Sequence, residues 1–254
     1  MKKTALITGA TSGIGEATAR MLAEKGYNLI ITGRRADRLK SLKEKLESNS
    51  THVLELCFDV RNETEVKENL SNLPDNWKKI DVLVNNAGLA AGLDSIDDGN
   101  SDDWNRMIDT NIKGLLYVSY EVAQLMKENK IEGHIVNIGS IAGKEVYPNG
   151  NVYCATKHAV DALSKGMRMD LLKHRIKVTQ ICPGAVETEF SLVRFHNDAD
   201  RAKTVYQGFE PLVANDVAEC IWFAVSRPSH VNINDMIVMP AAQASSSIFL
   251  KQNN

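Results

Sequence analysis

Tyr153 and Lys157 stand four residues apart in the run Asn-Val-Tyr-Cys-Ala-Thr-Lys. On a helix that spacing puts both side chains on one face, one turn apart. An ammonium held beside a phenol favours the phenolate and lowers the tyrosine pKa from its ordinary value near ~10. A phenol so placed exchanges a proton with an alcohol or ketone oxygen near neutral pH. Upstream, Ser140 follows the apolar run 135–138, where its hydroxyl could bond the same oxygen. A Tyr and a Lys at helical spacing also describe an ordinary solvated pair, so the chemistry depends on the elements around them.

The first of those elements is a short β-type run over 4–8, which ends in Gly9-Ala10-Thr11-Ser12-Gly13-Ile14-Gly15. A helical pattern follows over 16–25 and Gly26 stops it. Strand, glycine-rich turn and helix in that order make a dinucleotide-binding arrangement. Gly9, Gly13 and Gly15 let the backbone turn tightly and approach a pyrophosphate. Around Thr11, Ser12 and Ile14 the helix start offers free N–H groups and the positive end of a dipole. The spacing is G-x-x-x-G-x-G rather than G-x-G-x-x-G. A second strand over 28–32 ends at Gly33-Arg34-Arg35. An acidic residue there would grip the ribose 2′-OH of NAD and repel a 2′-phosphate. Arginine instead binds phosphate bidentately and stacks on adenine. The sequence therefore predicts NADP, with Arg34 the nearer ligand and Arg35 the second.

Residues 36–48 read as a charged helix with Leu39, Leu42 and Leu46 at core spacing. A third strand, 52–58, ends at Asp59-Val60, where Asp59 is placed to bond the adenine amino group. A helix over 62–73 is broken by Pro74. The fourth strand, 80–85, leads into Asn86-Ala87-Gly88, small and amide residues that let the backbone pass close to a bound ring. Residues 101–130 are mostly helical, with Ser101 resembling an N-cap. Asn111 falls in mid-helix, where Asn is a poor former, so it disrupts the local ladder or points at a cleft. A fifth strand covers 133–138. The helix 151–173 carries Tyr153 and Lys157, with Ala159, Val160, Leu163, Met167 and Leu171 on its apolar side. The sixth strand, 175–182, closes at Pro183-Gly184. Val186 and Thr188 follow at a strand's carboxyl end, where ligands bind in such sheets, and Thr188 suits a nicotinamide carboxamide or a phosphate. Residues 192–208, with Arg194, Phe195, His196 and Tyr206, read as a substrate lid that spans about 185–212 in all. Asn215-Asp216 caps a further helix, 236–239 is a last strand, and a polar tail carries Phe249 and Leu250. This alternation predicts one α/β domain over 1–254: a Rossmann fold with a doubly wound, parallel, seven-stranded sheet and helices on both faces.

Composition excludes several classes. The 254 residues are 43% hydrophobic and 24% charged with a net charge of −2, so no basic field exists for nucleic acid or an anionic membrane. No segment approaches the ~18 apolar residues of a membrane span. The basic start Met1-Lys2-Lys3 leads into too short an apolar run for a signal peptide, so the expected location is cytoplasmic. Cys57, Cys154, Cys182 and Cys220 are far apart and read as buried, reduced thiols. The six histidines are scattered, and no metal site is expected.

Taken together, Thr8 to Gly15, Asn85-Asn86-Ala87-Gly88, Asn111, Ser140, Tyr153-x-x-x-Lys157 and Pro183-Gly184 resemble the short-chain dehydrogenase/reductase superfamily over nearly the whole chain. Gly33-Arg34-Arg35, Met107 to Asn111, Gly150-Asn151-Val152-Tyr153, Thr188-Glu189-Phe190-Ser191, Val193-Arg194-Phe195 and His230 to Asn234 narrow the resemblance. They are similar to the NADP-dependent 3-hydroxy acid dehydrogenases, also called serine dehydrogenases. The chain departs from that group between Gly184 and Thr188, and Lys144-Glu145 is more charged than a cleft loop should be. The resemblance implies a homotetramer acting on L-serine, L-allo-threonine and related small 3-hydroxy acids, including the malonic semialdehyde type. It implies Tyr153 as general acid/base, Lys157 as the group that lowers its pKa and bonds the nicotinamide ribose, Ser140 as the polariser of the substrate oxygen, and Asn111 as support for a water in a proton relay.

A 3-hydroxy acid carries a carboxylate that needs a cation, and Arg194 in the lid is the candidate. One rival is a reductase of another carbonyl, such as a sugar, a steroid or a 3-oxoacyl chain. Asn234-Asp235-Met236-Ile237 stands where acyl-reducing relatives carry Asp-Gly-Gly. A second rival, a non-catalytic NADP sensor, would be expected to lose Tyr153 or Lys157, and both are present.

Overall fold

A computed structural model describes residues 2–48 and 50–252. Of the expected domain, Met1, Asn49, Asn253 and Asn254 lie outside the described residues. The strands are β1 (Thr4–Ile7), β2 (Asn28–Gly33), β3 (Val53–Cys57), β4 (Val82–Asn85), β5 (His134–Ile138), β6 (Lys177–Pro183), β7 (Val186–Glu187), β8 (Leu212–Val213) and β9 (Asp235–Val238). The helices are α1 (Gly13–Glu24), α2 (Ala36–Leu46), α3 (Glu63–Ser71), α4 (Ser101–Ile108), α5 (Leu115–Glu128), α6 (Asn151–Leu171), α7 (Phe190–Arg194), α8 (Ala199–Thr204) and α9 (Ala214–Val225).

Side-chain alternation explains why the strands read as continuous apolar runs. In β1, Ala5 and Ile7 face the layer formed by α1, α2 and α9, whereas Leu6 faces the layer of α3 and α5. β2, β4 and β5 alternate in the same way, with Ile31, Val84 and Val136 on the first side and Ile30, Leu83 and Ile135 on the second. A strand covered on both faces has no polar side to display. The strands form one parallel sheet in the order β3-β2-β1-β4-β5-β6-β9, a doubly wound Rossmann arrangement as expected. The order reverses between β1 and β4, and a crevice opens outside the carboxyl ends there. β7 and β8 form a separate parallel pair at the base of the 186–213 segment.

Buried amides tie the second layer to the sheet. Asn85 of β4 donates to Ser119 of α5 at 2.8 Å and to Asn137 of β5 at 2.9 Å. Asn137 in turn donates to Ser164 of α6 at 2.9 Å. These bonds fix where α6, the carrier of Tyr153 and Lys157, lies on the sheet.

The ladder break that Asn111 signals in sequence takes the form of a π turn, Asp109–Gly114, which interrupts the helix 101–130. Three sequence expectations change. Asn100 rather than Ser101 is the cap, its side chain accepting from Asp102 N at 2.8 Å. The buried face of α6 is largely polar (Tyr153, Thr156, Lys157, Ser164), and Ala159, Leu163, Met167 and Leu171 are only half-buried. Cys57 is exposed and Cys220 half-exposed, because β3 is an edge strand and α9 an outer helix. Among the described residues no helix is long and apolar enough to cross a membrane, and no group of three or more His, Cys, Asp or Glu is placed to hold a metal ion.

Candidate active site

One cleft of about 570 Å³ runs along the carboxyl ends of the strands. Gly9, Thr11, Ser12, Gly13, Ile14, Arg34, Arg35, Asp59, Val60, Asn86, Ala87, Gly88, Ser140, Tyr153, Lys157, Pro183, Gly184, Val186, Thr188 and Arg194 all line it. Gly15 and Asn111, named with them from sequence, stand behind the wall.

The glycine-rich turn is set by packing. Gly9 has φ +66°, and a methyl group on Gly15 would collide with the Gly9 carbonyl and the Asn86 side-chain amide. The Asn86 amide donates to the Thr8 carbonyl at 2.9 Å and to the Gly9 carbonyl at 3.1 Å, pinning the turn from the β4 side. Ser12 precedes α1 with no side-chain cap bond, so the first-turn N–H groups face the cleft without a side-chain acceptor. A positive helix end, small residues and the arginines after β2 form a donor set that suits a phosphorylated dinucleotide.

The two arginines differ. Arg34 is exposed and only loosely paired, 3.8 Å from Asp59. Arg35 is engaged on three sides: it donates to Thr11 Oγ1 at 2.8 Å, Ser12 Oγ at 2.9 Å and Glu189 Oε2 at 3.0 Å. Glu189 also accepts from Arg38 at 2.8 Å, and the two arginines hold its carboxyl below the usual range. Burial acts to raise the Asp59 carboxyl, but bonds from Arg61 outweigh it and hold the group low. Asp59 thus faces a cation as well as the cleft.

Asn111 holds the wall from behind. Its Oδ1 accepts from Leu89 N at 2.9 Å, and its Nδ2 donates to the Leu89 carbonyl at 2.8 Å and to Thr156 Oγ1 at 3.0 Å. The π turn frees this side chain from the surface and turns it inward, a distortion common near functional sites. Its amide hydrogens are both used, so its evident task is to fix the loop after β4 against α6.

Tyr153 and Lys157 share one face of α6, as their spacing demands. The Lys157 ammonium donates to the Ile138 carbonyl at 2.9 Å and lies 5.9 Å from the Tyr153 ring centre. Burial lowers the Lys157 pKa from 10.5 to about 8. Burial also raises the Tyr153 phenol above its ordinary value, with the Ser140 hydroxyl and the Arg194 guanidinium acting weakly in the other direction. The expected lowering by Lys157 is therefore corrected: burial and the neighbouring Tyr147 raise the phenol, and the ammonium is bonded to the Ile138 carbonyl beyond the ring. Ser140 Oγ accepts from Ala142 N at 3.0 Å, which orients the hydroxyl and leaves its proton available to the cleft.

Arg194, at the end of α7, completes the group. Its Nε donates to the Gly92 carbonyl at 3.2 Å, and its guanidinium lies 5.5 Å from the Tyr147 ring centre and 5.7 Å from that of Tyr153. Its Nη2 is buried and has no partner at hydrogen-bond geometry among the described residues, with the Tyr147 side chain a polar neighbour of the guanidinium. Sequence reasoning did not place Tyr147, Glu189 or the tail residues Gln243, Ser246 and Phe249 in the site, and all of them line the cleft. Two of these carried a visible signal: Tyr147 follows closely on Ser140, and Phe249 is an aromatic in a polar tail.

This architecture has known counterparts. Residues 3–198 match the family described as short chain dehydrogenase. The chain belongs to the short-chain dehydrogenase family. It is 46% identical over 240 residues to the NADP-dependent 3-hydroxy acid dehydrogenase YdfG of Salmonella typhi, covering 94% of this chain and 95% of that protein. It is 43% identical over 247 residues to sulfoacetaldehyde reductase 2 of Chromohalobacter salexigens, covering 97% of this chain and 98% of that one. The closed form of a serine dehydrogenase complexed with NADP+ superposes with a TM-score of 0.91 at 43% identity, over 98% of this chain and all of that chain, 100%.

Proposed function

We propose that this short-chain dehydrogenase interconverts the hydroxyl and carbonyl forms of small 3-hydroxy acids: L-serine, L-allo-threonine, and the 3-hydroxypropionate/malonic semialdehyde type. It is an oxidoreductase acting on CH–OH groups, and NADP is its cofactor. The observation that carries the substrate reading is the buried, unpartnered Arg194 Nη2 beside Tyr153. A buried guanidinium donor without an acceptor costs free energy until an anion meets it. A carboxylate two bonds from the reacting carbon suits a guanidinium stacked one ring away from the acid/base phenol.

In reduction, Tyr153 gives its phenolic proton to the substrate oxygen as the carbonyl becomes a hydroxyl, and Ser140 donates a hydrogen bond to the same oxygen. In oxidation the phenolate takes that proton back. Bound NADP supplies hydride transfer at its nicotinamide. Gly9, Thr11, Ser12, Gly13, Ile14 and Gly88 would frame its phosphates and ring, Arg34 and Arg35 would read the 2′-phosphate, and Thr188 would bond the carboxamide or a phosphate. Lys157, anchored by Ile138, would bond the nicotinamide ribose. Residues 185–212, which include α7 and α8, act as the lid.

A sulfonate at the same spacing is a second anionic head that Arg194 would accept, and the relative named for sulfoacetaldehyde supports that reading. Sugar, steroid and 3-oxoacyl substrates offer Arg194 no anion at that distance. Apolar side chains left exposed on α5 (Tyr120), α6 (Met169), the turn after it (Leu172), α9 (Phe223) and β9 (Ile237) support a homotetramer. A cytoplasmic location suits the NADP pool and the free thiols. A substrate panel with NADP+ tests the reading: L-serine, L-allo-threonine, 3-hydroxypropionate, isethionate and uncharged alcohols. Turnover is expected on the acids and not on the alcohols; a preference for uncharged alcohols would refute it.

A further inference from the structure

We propose that the C-terminal segment 243–250 is a clasp that closes the substrate end of the cleft and limits substrate length, and that Glu145 is the residue that latches it. This rests on the hydroxy-acid reading of the site. The segment folds back on itself through Ala244 N to the Ile248 carbonyl at 3.0 Å and Leu250 N to the Ala242 carbonyl at 2.8 Å. From that turn it reaches three separate walls of the cleft. Gln243 Oε1 accepts from Ala185 N at 2.8 Å, at the exit of β6. Ser246 N donates to Glu145 Oε2 at 2.8 Å, on the loop that runs from Ser140 to Tyr147. The Phe249 ring packs on Phe209 with centres 4.9 Å apart, and Gln252 N donates to the Gly208 carbonyl at 2.8 Å, at the end of the lid.

Gln243, Ser246 and Phe249 line the same cleft as Tyr153 and Arg194. A segment bonded to both the catalytic loop and the lid fixes the distance between them. The anion holder Arg194 and the proton donor Tyr153 define where C1 to C3 of an acid lie, so atoms beyond C3 must find room against the remaining walls. The charge at Lys144-Glu145, unexpected beside a cleft, then has two uses. Lys144 bridges Asp161 of α6 and Asp235 of β9, steadying the loop, while Glu145 holds the tail. Discrimination by one added methylene in such a wall is roughly 10- to 200-fold.

The test uses the full-length enzyme with NADP+ and a length series: 3-hydroxypropionate, 3-hydroxybutyrate, 3-hydroxyhexanoate and 3-hydroxyoctanoate, each also as its methyl ester. Phe249→Ala is expected to raise kcat/KM for the six- and eight-carbon members at least about tenfold relative to the three-carbon one, with NADPH affinity by fluorescence unchanged. Glu145→Ala is expected to shift the ratio the same way. Glu145→Gln, which keeps an oxygen acceptor, is expected to restore the wild-type ratio. Parallel losses at every length, or a changed NADPH affinity that accounts for the effect, would overturn the clasp. Because the Glu145 pair leaves Phe249 in place, the result stands even if Phe249→Ala does not fold. If wild type turns over the esters but not the acids, the hydroxy-acid reading fails while the ester series still reads the clasp.

Discussion

Lys157→Met separates what the buried lysine does for chemistry from what it does to stability. The ammonium is buried and its pKa falls from 10.5 to about 8, which corresponds to about 3 kcal/mol of cost in its charged form. Methionine removes that cost and fills similar space, but leaves the Ile138 carbonyl without its 2.9 Å donor, a loss of about 1 kcal/mol. The variant should therefore be more stable than wild type at pH 7 by about 2 kcal/mol, a Tm higher by on the order of 5 °C, while losing turnover. The sign with pH follows from the lowered folded value. Below pH 8 both states hold the proton and the wild-type penalty is constant. Between about 8 and 10.5 the unfolded chain binds more protons than the folded one, so wild type gains stability as pH rises and the difference closes. Thermal melts of both proteins at pH 7, 8.5 and 10 read this directly. A variant that is less stable at pH 7, or a difference that does not narrow on raising the pH, would refute the burial argument.

Other outcomes follow from the same geometry. Tyr153→Phe should abolish turnover while fluorescence titration finds NADPH binding within about threefold of wild type; substantial activity would remove Tyr153 from the proton transfer. Because burial raises the Tyr153 phenol, it stays protonated near neutrality, so oxidation should speed up from pH 6 to 8 while reduction stays level; an oxidation maximum below pH 7 would contradict this. Arg34→Asp should lower the NADP/NAD ratio of kcat/KM by on the order of 100-fold, whereas Arg35→Ala, which also frees Thr11, Ser12 and Glu189, should cost thermal stability as well. Asn111→Ala, which cuts three bonds between the β4 loop and α6, should lower kcat and Tm together; a lowered kcat with unchanged Tm would place Asn111 in the relay itself.

Much of this protein is local, and local features are legible in sequence. The strands announce themselves because each is covered on both faces, and the turn after β1 needs glycines wherever Asn86 and the Gly9 carbonyl press against it. Tyr153 and Lys157 could be paired because helical spacing is fixed. What escaped depends on distance along the chain. Arg35 meets Glu189 across 154 residues, and Ser246 meets Glu145 across 101, so no window of sequence holds either pair. At Asn111 the poor helix former marks a broken ladder, but that the break is a π turn is not encoded in propensity. The direction of the Tyr153 shift was missed for another reason. Spacing reveals the cation but not the desolvation, and burial is a property of the packed site.

The central claim is that a half-buried guanidinium, with its Nη2 buried and unpartnered among the described residues, selects an acid for the phenol beside it. Steady-state kinetics of Arg194→Ala against wild type, on 3-hydroxypropionate and on its methyl ester, test that most directly. The account expects kcat/KM to fall roughly 10- to 100-fold on the acid and by no more than a few-fold on the ester. Equal losses on both would mean that Arg194 holds the lid to Gly92 and Tyr147 and recognises no anion.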